Sequence, residues 1–277
     1  MNNKTNSQVV KKLLAKVALV TTLASTSYAG AIIDVEVGGG MWSTNEPTGT
    51  LEVSNVEFDL VKQAGLSSTS DNTYIWAVFD HAVPIVPNLR IEQVTLKSSG
   101  TKAITGGIDG LYTTSGAVDS ELDLSNTDFI LYWGVPFATW IPFMDEVDFG
   151  IGAKTFSGSL TMVESATGST LVNEDLSGAF VPYAYGKLRV EPPLMLGVGL
   201  EAELKYLSVD VGSVTSDFSE VIVKADWGLT APLPVIDIEA GFEVGYRMMS
   251  LDVDSSDLKT VVDFDGIFFG LYGKFGI

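Results

Sequence analysis

The single histidine, His81, follows Asp80 in the run Phe79-Asp80-His81, the chain's nearest approach to an acid–base pair. Successive side chains of a strand point to opposite faces, so two neighbours in an extended segment do not share one proton-transfer site. The spacing supports a polar residue at an interface instead. One histidine leaves a Ser/His/Asp triad or a multi-histidine metal site almost nothing to build on. The absence of cysteine excludes thiol nucleophiles, thiolate metal sites and disulfides. Asp252-Val253-Asp254-Ser255-Ser256-Asp257 resembles half of a calcium loop, but Asp257 stands where such a loop needs glycine for its turn. A solvated acidic loop is the default there. Neither Gly38-Gly39-Gly40 nor Gly106-Gly107 is followed by the Lys-Ser/Thr of a phosphate cradle. No catalytic residue, metal ligand or cofactor is expected, and the chain is not read as an enzyme.

Charge narrows the partners. Lys and Arg total 16 against 35 Asp and Glu, a formal net charge of −19. Binding phosphates needs clustered basic residues, so nucleic acid is excluded as a partner. The chain's main basic cluster, Lys4, Lys11, Lys12 and Lys16, lies in an N-terminal stretch without acids. An apolar run at 17–23 and the small residues of Ser27-Tyr28-Ala29 follow it. This is the pattern of a secretory signal peptide over 1–29, leaving one domain over 30–277. A membrane anchor would need roughly 20 apolar residues. Cleavage would leave 12 of the 16 basic residues against all 35 acids.

The elements that must position these charges alternate with period two. Ile236, Ile238, Ala240, Phe242, Val244, Tyr246 and Met248 alternate with Asp237, Glu239, Gly241, Glu243, Gly245 and Arg247. Leu196, Val198, Leu200, Ala202, Leu204 and Tyr206 alternate with Gly197, Gly199, Glu201, Glu203 and Lys205. Val221, Val223, Ala225, Trp227 and Leu229 do the same against Glu220, Lys224 and Asp226. One face of each strand is apolar and the other charged or glycine. Several runs exceed the five or six residues of an ordinary strand and match the roughly 9–11 needed to cross hydrocarbon. Ten strands are predicted, at 31–43, 72–81, 89–99, 121–135, 146–163, 177–190, 195–211, 218–230, 235–251 and 259–277. The segment 51–60 could extend a hairpin, the face of 72–81 is ambiguous, and Pro182 implies a bulge or a shifted boundary in the sixth strand.

Proline supplies the topology. Pro84 and Pro87, Pro136 and Pro142, Pro192 and Pro193, and Pro232 and Pro234 form four clusters, each a break between strands. Polar stretches at 43–72, 98–120, 164–175, 212–217 and 252–259 lie between them and read as longer loops. Short turns at one end and long polar loops at the other are the asymmetry of an outer-membrane barrel. The predicted fold class is all-β: a closed antiparallel up-and-down transmembrane barrel of about ten strands, with Pro-containing periplasmic turns and polar external loops. It would be a monomer in contact with outer-membrane lipid.

In such a barrel Trp42, Trp133 and Trp227 are expected among the interfacial aromatics. The turn residues Asp80, His81, Pro84 and Pro87 belong at the periplasmic end, far from the external rim where an outer-membrane protease would need His and Asp. A lumen charge network is expected from Glu201, Glu203, Lys205, Lys224, Asp226, Asp237, Glu239, Glu243, Arg247, Lys187 and Arg189. Asp34, Glu36, Asp148, Lys154 and Lys274 also face inward. Barrels of this size leave little free interior, so the network would plug or narrow the lumen, with a narrow passive pore as the open variant. The alternative from another class is a secreted, lipocalin-like soluble barrel that binds a hydrophobic ligand.

Three motifs carry a family resemblance: Val37-Gly38-Gly39-Gly40-Met41-Trp42, the turn Phe79-Asp80-His81-Ala82-Val83-Pro84-Ile85-Val86-Pro87-Asn88, and the terminal Gly270-Leu271-Tyr272-Gly273-Lys274-Phe275-Gly276-Ile277. With the signal peptide, they make the chain resemble a family of Gram-negative outer-membrane β-barrel proteins named for their location. That resemblance implies the fold and the membrane but no activity, ligand or catalytic residue. The last strand is similar to the sorting signal read by the barrel-assembly machinery. It ends in Ile277 where the common form has Phe.

Overall fold

Long alternating segments pair only when every apolar face looks the same way, and here ten of them do so in a closed ring. The computed structural model describes residues 33–53, 56–83, 85–104, 116–136, 138–192, 197–211, 214–232, 237–254 and 259–276. The expected signal peptide, Pro84, Gly106-Gly107, Pro193, Pro234, Ser256, Asp257 and Ile277 lie outside the described residues. The first strands are β1 (Ile33–Thr44), β2 (Thr48–Val53), β3 (Val56–Asp59), β4 (Thr69–His81) and β5 (Asn88–Thr95). β6 (Lys97–Ile104), β7 (Gly116–Asp123) and β8 (Asn126–Gly134) precede a short 3₁₀ turn, Ala138–Trp140. β9 (Met144–Phe156), β10 (Ser159–Glu164), β11 (Thr170–Asp175) and β12 (Phe180–Val190) follow. The longest run comes last: β13 (Val198–Val211), β14 (Val214–Pro232), β15 (Asp237–Asp254) and β16 (Lys259–Gly276).

Hydrogen bonding runs β1-β4-β5-β8-β9-β12-β13-β14-β15-β16, and β16 pairs back onto β1 from Asp34↔Gly276 to Thr44↔Gly266. All pairs are antiparallel, so this is the closed ten-stranded up-and-down barrel expected from the alternation. Its outward positions are apolar or glycine over long stretches: Leu200 to Tyr206, Val221 to Leu229, Ile238 to Met248 and Ile267 to Phe275, every second residue. On the other wall Gln93, Thr127 and Thr155 stand on one cross-strand row, with apolar residues between that row and the proline turns. No Asp, Glu, Lys or Arg interrupts these outward stretches.

Three expected strands are shorter than predicted because they leave the barrel midway. β5 continues past Leu96 into β6, β7 reaches β8 past Leu124 and Ser125, and β9 continues past Ser157 and Gly158 into β10. The continuations pair in the same order, β6-β7-β10, and β11 adds a fourth strand. Asp123 fastens the bend. Its Oδ1 accepts the Ser125 N–H at 2.8 Å, its Oδ2 lies 2.8 Å from Lys97 Nζ, and the Leu124 N–H donates to the Leu96 carbonyl. Burial alone would raise this carboxyl, yet the Lys97 and Ser125 donors hold it below its ordinary range.

The described parts of the stretches read as loops at 43–72, 98–120 and 164–175 are therefore largely strands. β2 and β3 form a hairpin over the predicted 51–60 segment, and β2 carries on the β1 edge against β16 from Thr48↔Asp263 to Glu52↔Lys259. Leu51, Phe58, Leu60 and Leu66 from that side meet Leu96, Leu122, Leu160 and Met162 from the four-stranded sheet, over Phe218, Met249, Val262 and Phe264. All are buried, and they join one continuous apolar cluster. The barrel thus closes at its loop end into a sandwich with an apolar core.

Pro182 stays in register with Ala153 without a bulge, and it is the boundary that shifts, the strand beginning at Phe180 and not at 177. β13 pairs with β12 only from Ala184↔Tyr206 onward, so Pro182 sits on an edge where a missing N–H costs no ladder bond. Inward-facing Gly152 leaves room for the Tyr183 ring, which an added Cβ would approach to 2.3 Å. Gly152→Val is expected to destabilise by about 1–3 kcal/mol, the usual range for overpacking, although valine favours strands. The urea midpoint of the folded protein reads this directly.

Candidate functional site

The inward faces assemble a charged interior in tiers, because the barrel's register brings acids and bases from non-adjacent strands to one height. The deepest tier holds three cations and three anions. Lys154 Nζ lies 2.7 Å from Asp128 and 3.1 Å from Glu220. Lys205 Nζ lies 2.6 Å from Glu220, 2.9 Å from Asp128 and 3.5 Å from Glu92. Arg247 bridges Glu92 at 2.5 Å and Glu220 at 2.9 Å. The Lys154 and Lys205 side chains are 0% exposed, so this cluster is shut off from bulk solvent. Tyr183 OH donates to Asp128 at 2.8 Å, and Arg247 lies 5.0 Å from the Trp42 ring centroid. Equal and opposite charge, with aromatic faces over the cations, is how such burial becomes tolerable.

Glu92, Asp128 and Glu220 also bring three carboxylate oxygens within 4.8 Å of one another, as a metal site would. The Lys205 ammonium lies within 3.5 Å of all three. It supplies the positive charge that a metal would bring, and the triad is read as an ion-pair cluster.

The middle tier pairs Arg90 with Glu203 at 3.1 Å and Glu92 at 3.3 Å, and Lys224 with Glu201 and Glu243, both at 3.1 Å. Tyr74 OH and Trp76 Nε1 both donate to Glu243 Oε1. Toward the turn end, Arg189 forms a two-pronged contact with Asp226 at 2.6 and 2.8 Å. Lys187 bridges Glu146 and Asp148, and Lys274 meets Glu36 at 2.8 Å. Glu239 accepts from Tyr272 and Thr230. Most of these groups border a cavity of about 240 Å³ that opens at the turn end, with eleven carboxylates and five Lys and Arg residues in its lining.

Of the charged residues expected inward, Asp237 does not join them: it opens β15 at the rim, opposite Pro232 and Gly276, and is exposed. Trp42 is the other correction. It is fully buried inside the barrel over Arg247, not at an interface. The glycines at 38–40 erase the alternation signal, but counting parity from Asp34 and Glu36 across them gives the inward face. Trp133 and Trp227 do point outward near the turn end, against Phe149 and Phe242. Arg90, Glu92 and Asp128 were missed because they lie on β5 and β8, whose short apolar faces hide the period.

Asp80 and His81 both border the turn-end cavity, each with a different hydrogen-bond partner. Asp80 accepts a hydrogen bond from Tyr132 inside, while His81 Nδ1 accepts the Val83 N–H at 3.2 Å. Pro87 is half-buried at the end of the same turn. Asp252 and Asp254 of the calcium-like run belong to β15, paired with Asp217 and Thr215. No protein-family model and no curated protein matches the chain.

Proposed function

We propose that the chain is an integral outer-membrane barrel of a Gram-negative bacterium, exported by a cleaved signal peptide, with a sealed lumen and a structural role. The observation that carries this reading is the belt of uncharged outward positions that runs round the barrel strands, set against an interior of buried ion pairs. In hydrocarbon each backbone group must be paired internally, which a closed ring of strands achieves. A belt of apolar side chains with Trp at its edge then matches lipid. Two separate obstructions close the lumen: the buried ion-pair cluster and, beyond it, the apolar core of the loop-end sandwich. Barrel-assembly machinery would recognise the β16 strand, and the protein would act as a monomer without catalytic chemistry.

The soluble, lipocalin-like alternative needs an apolar interior for its ligand, whereas Lys154, Lys205, Arg247 and their carboxylates fill this one. Extraction that requires detergent, with a heat-shifted mobility on gels, is the expected behaviour, and a buffer-soluble monomer would overturn the membrane reading. In a planar bilayer the purified protein is expected to pass no current. Regular single-channel steps would instead favour the narrow passive pore.

A further inference from the structure

At the turn end, two segments expose apolar side chains that the barrel does not cover. Val83, Ile85 and Val86 lie between β4 and β5, and Ile141 and Phe143 lie between β8 and β9; Ile85 is 76% exposed. Neither 82–87 nor 135–143 contains a charged residue. Ile85 and Phe143 are also the two non-glycine residues at positive φ among the described residues, 77° and 70°. For a β-branched or bulky residue that conformation is strained, and it persists only when neighbours hold it. They do: Trp133 Nε1 donates to the Ile85 carbonyl at 3.1 Å, and the Glu191 N–H donates to the Phe143 carbonyl at 2.8 Å. The display is built and pinned.

Strand lengths say what covers it. The outward apolar run of β15, Ile238 to Met248, spans about 34 Å along the strand, or about 24 Å along the barrel axis at a tilt near 45°. That equals the roughly 25 Å band of a membrane barrel. On β4 the corresponding run is only Ile75 to Phe79, about 14 Å along the strand, and on β5 only Leu89 and Ile91. The wall that lacks belt height is the wall that carries the two apolar turns.

We propose that these turns lie in the bilayer and complete the belt there, with acyl chains of the periplasmic-leaflet phospholipids as their occupant. This rests on the membrane reading above. The test places single cysteines, in a chain that has none of its own, at Ile85, Ile141, Phe242 and Glu174. Each variant is nitroxide-labelled in phosphatidylcholine–phosphatidylglycerol vesicles and checked for heat-shifted mobility. Accessibility to lipid-soluble oxygen is then compared with that to a water-soluble nickel chelate. Labels at 85 and 141 are expected to match 242 and to show an oxygen-to-nickel ratio several-fold above 174. Ratios at 85 and 141 like that at 174, with 242 still lipid-like, would overturn the proposal and leave the turns to a soluble partner or a second copy. An aqueous ratio at 242 would bring down the membrane reading and this inference with it. Should Ile85→Cys fail to fold, Val86→Cys reports on the same turn.

Discussion

Lys205→Met is expected to lower folding stability by about 3–5 kcal/mol, the range for removing one partner of a buried charge cluster. Lys205 lies between Asp128, Glu220 and Glu92, and its loss leaves three anions facing Lys154 and Arg247. Methionine fills nearly the same volume, so the deficit is electrostatic rather than a cavity. Adding Glu220→Gln to Lys205→Met restores two cations to two anions and is expected to recover most of the loss. Urea unfolding of the single and double variants measures both. A neutral effect of Lys205→Met would mean that water reaches the cluster and that the lumen is not sealed at this tier.

Val244→Arg is the second large effect, and it separates two environments for the outer face. Val244 points outward near the middle of the β15 apolar run and is well exposed on the barrel's surface. In a bilayer an arginine at mid-depth costs about 2–4 kcal/mol. On a soluble barrel the same exposed change stays within about 0.5 kcal/mol. Folding into vesicles, followed by urea midpoint and heat-shifted mobility, is expected to show the larger loss. A change that leaves the midpoint unmoved would sink the lipid-facing reading.

These charges were legible in sequence where the alternation is long and unbroken. From β13 to β16 the apolar and ionised residues separate so cleanly that Glu201, Glu203, Lys205, Lys224, Asp226, Glu239, Glu243 and Arg247 could be assigned inward by counting in twos. The four proline clusters supplied the turns for the same reason, since proline breaks strands. The second sheet was not legible, because parity does not reset at its boundary. Arg90, Glu92, Val94, Leu96 and Ser98 are all buried on one side. Lys154, Phe156, Leu160 and Met162 repeat that on β9 and β10. What changes across the bend is only the chemistry of the buried side, from charged to apolar. A period-two reading is blind to that change, so each bent strand read as one longer strand.

The pairing of β16 has a kinetic side. Asp34↔Gly276 joins positions nearly the whole chain apart, while the same strand is already bonded to its hairpin neighbour β15. Bringing distant segments together costs loop entropy before any contact rewards it, so ring closure is expected to come late. Until then two open edges and a half-buried set of lysines and glutamates stand exposed together. A chain of this design cannot mature piecemeal as it emerges, and must be kept from sticking to itself until its last strand reaches its first.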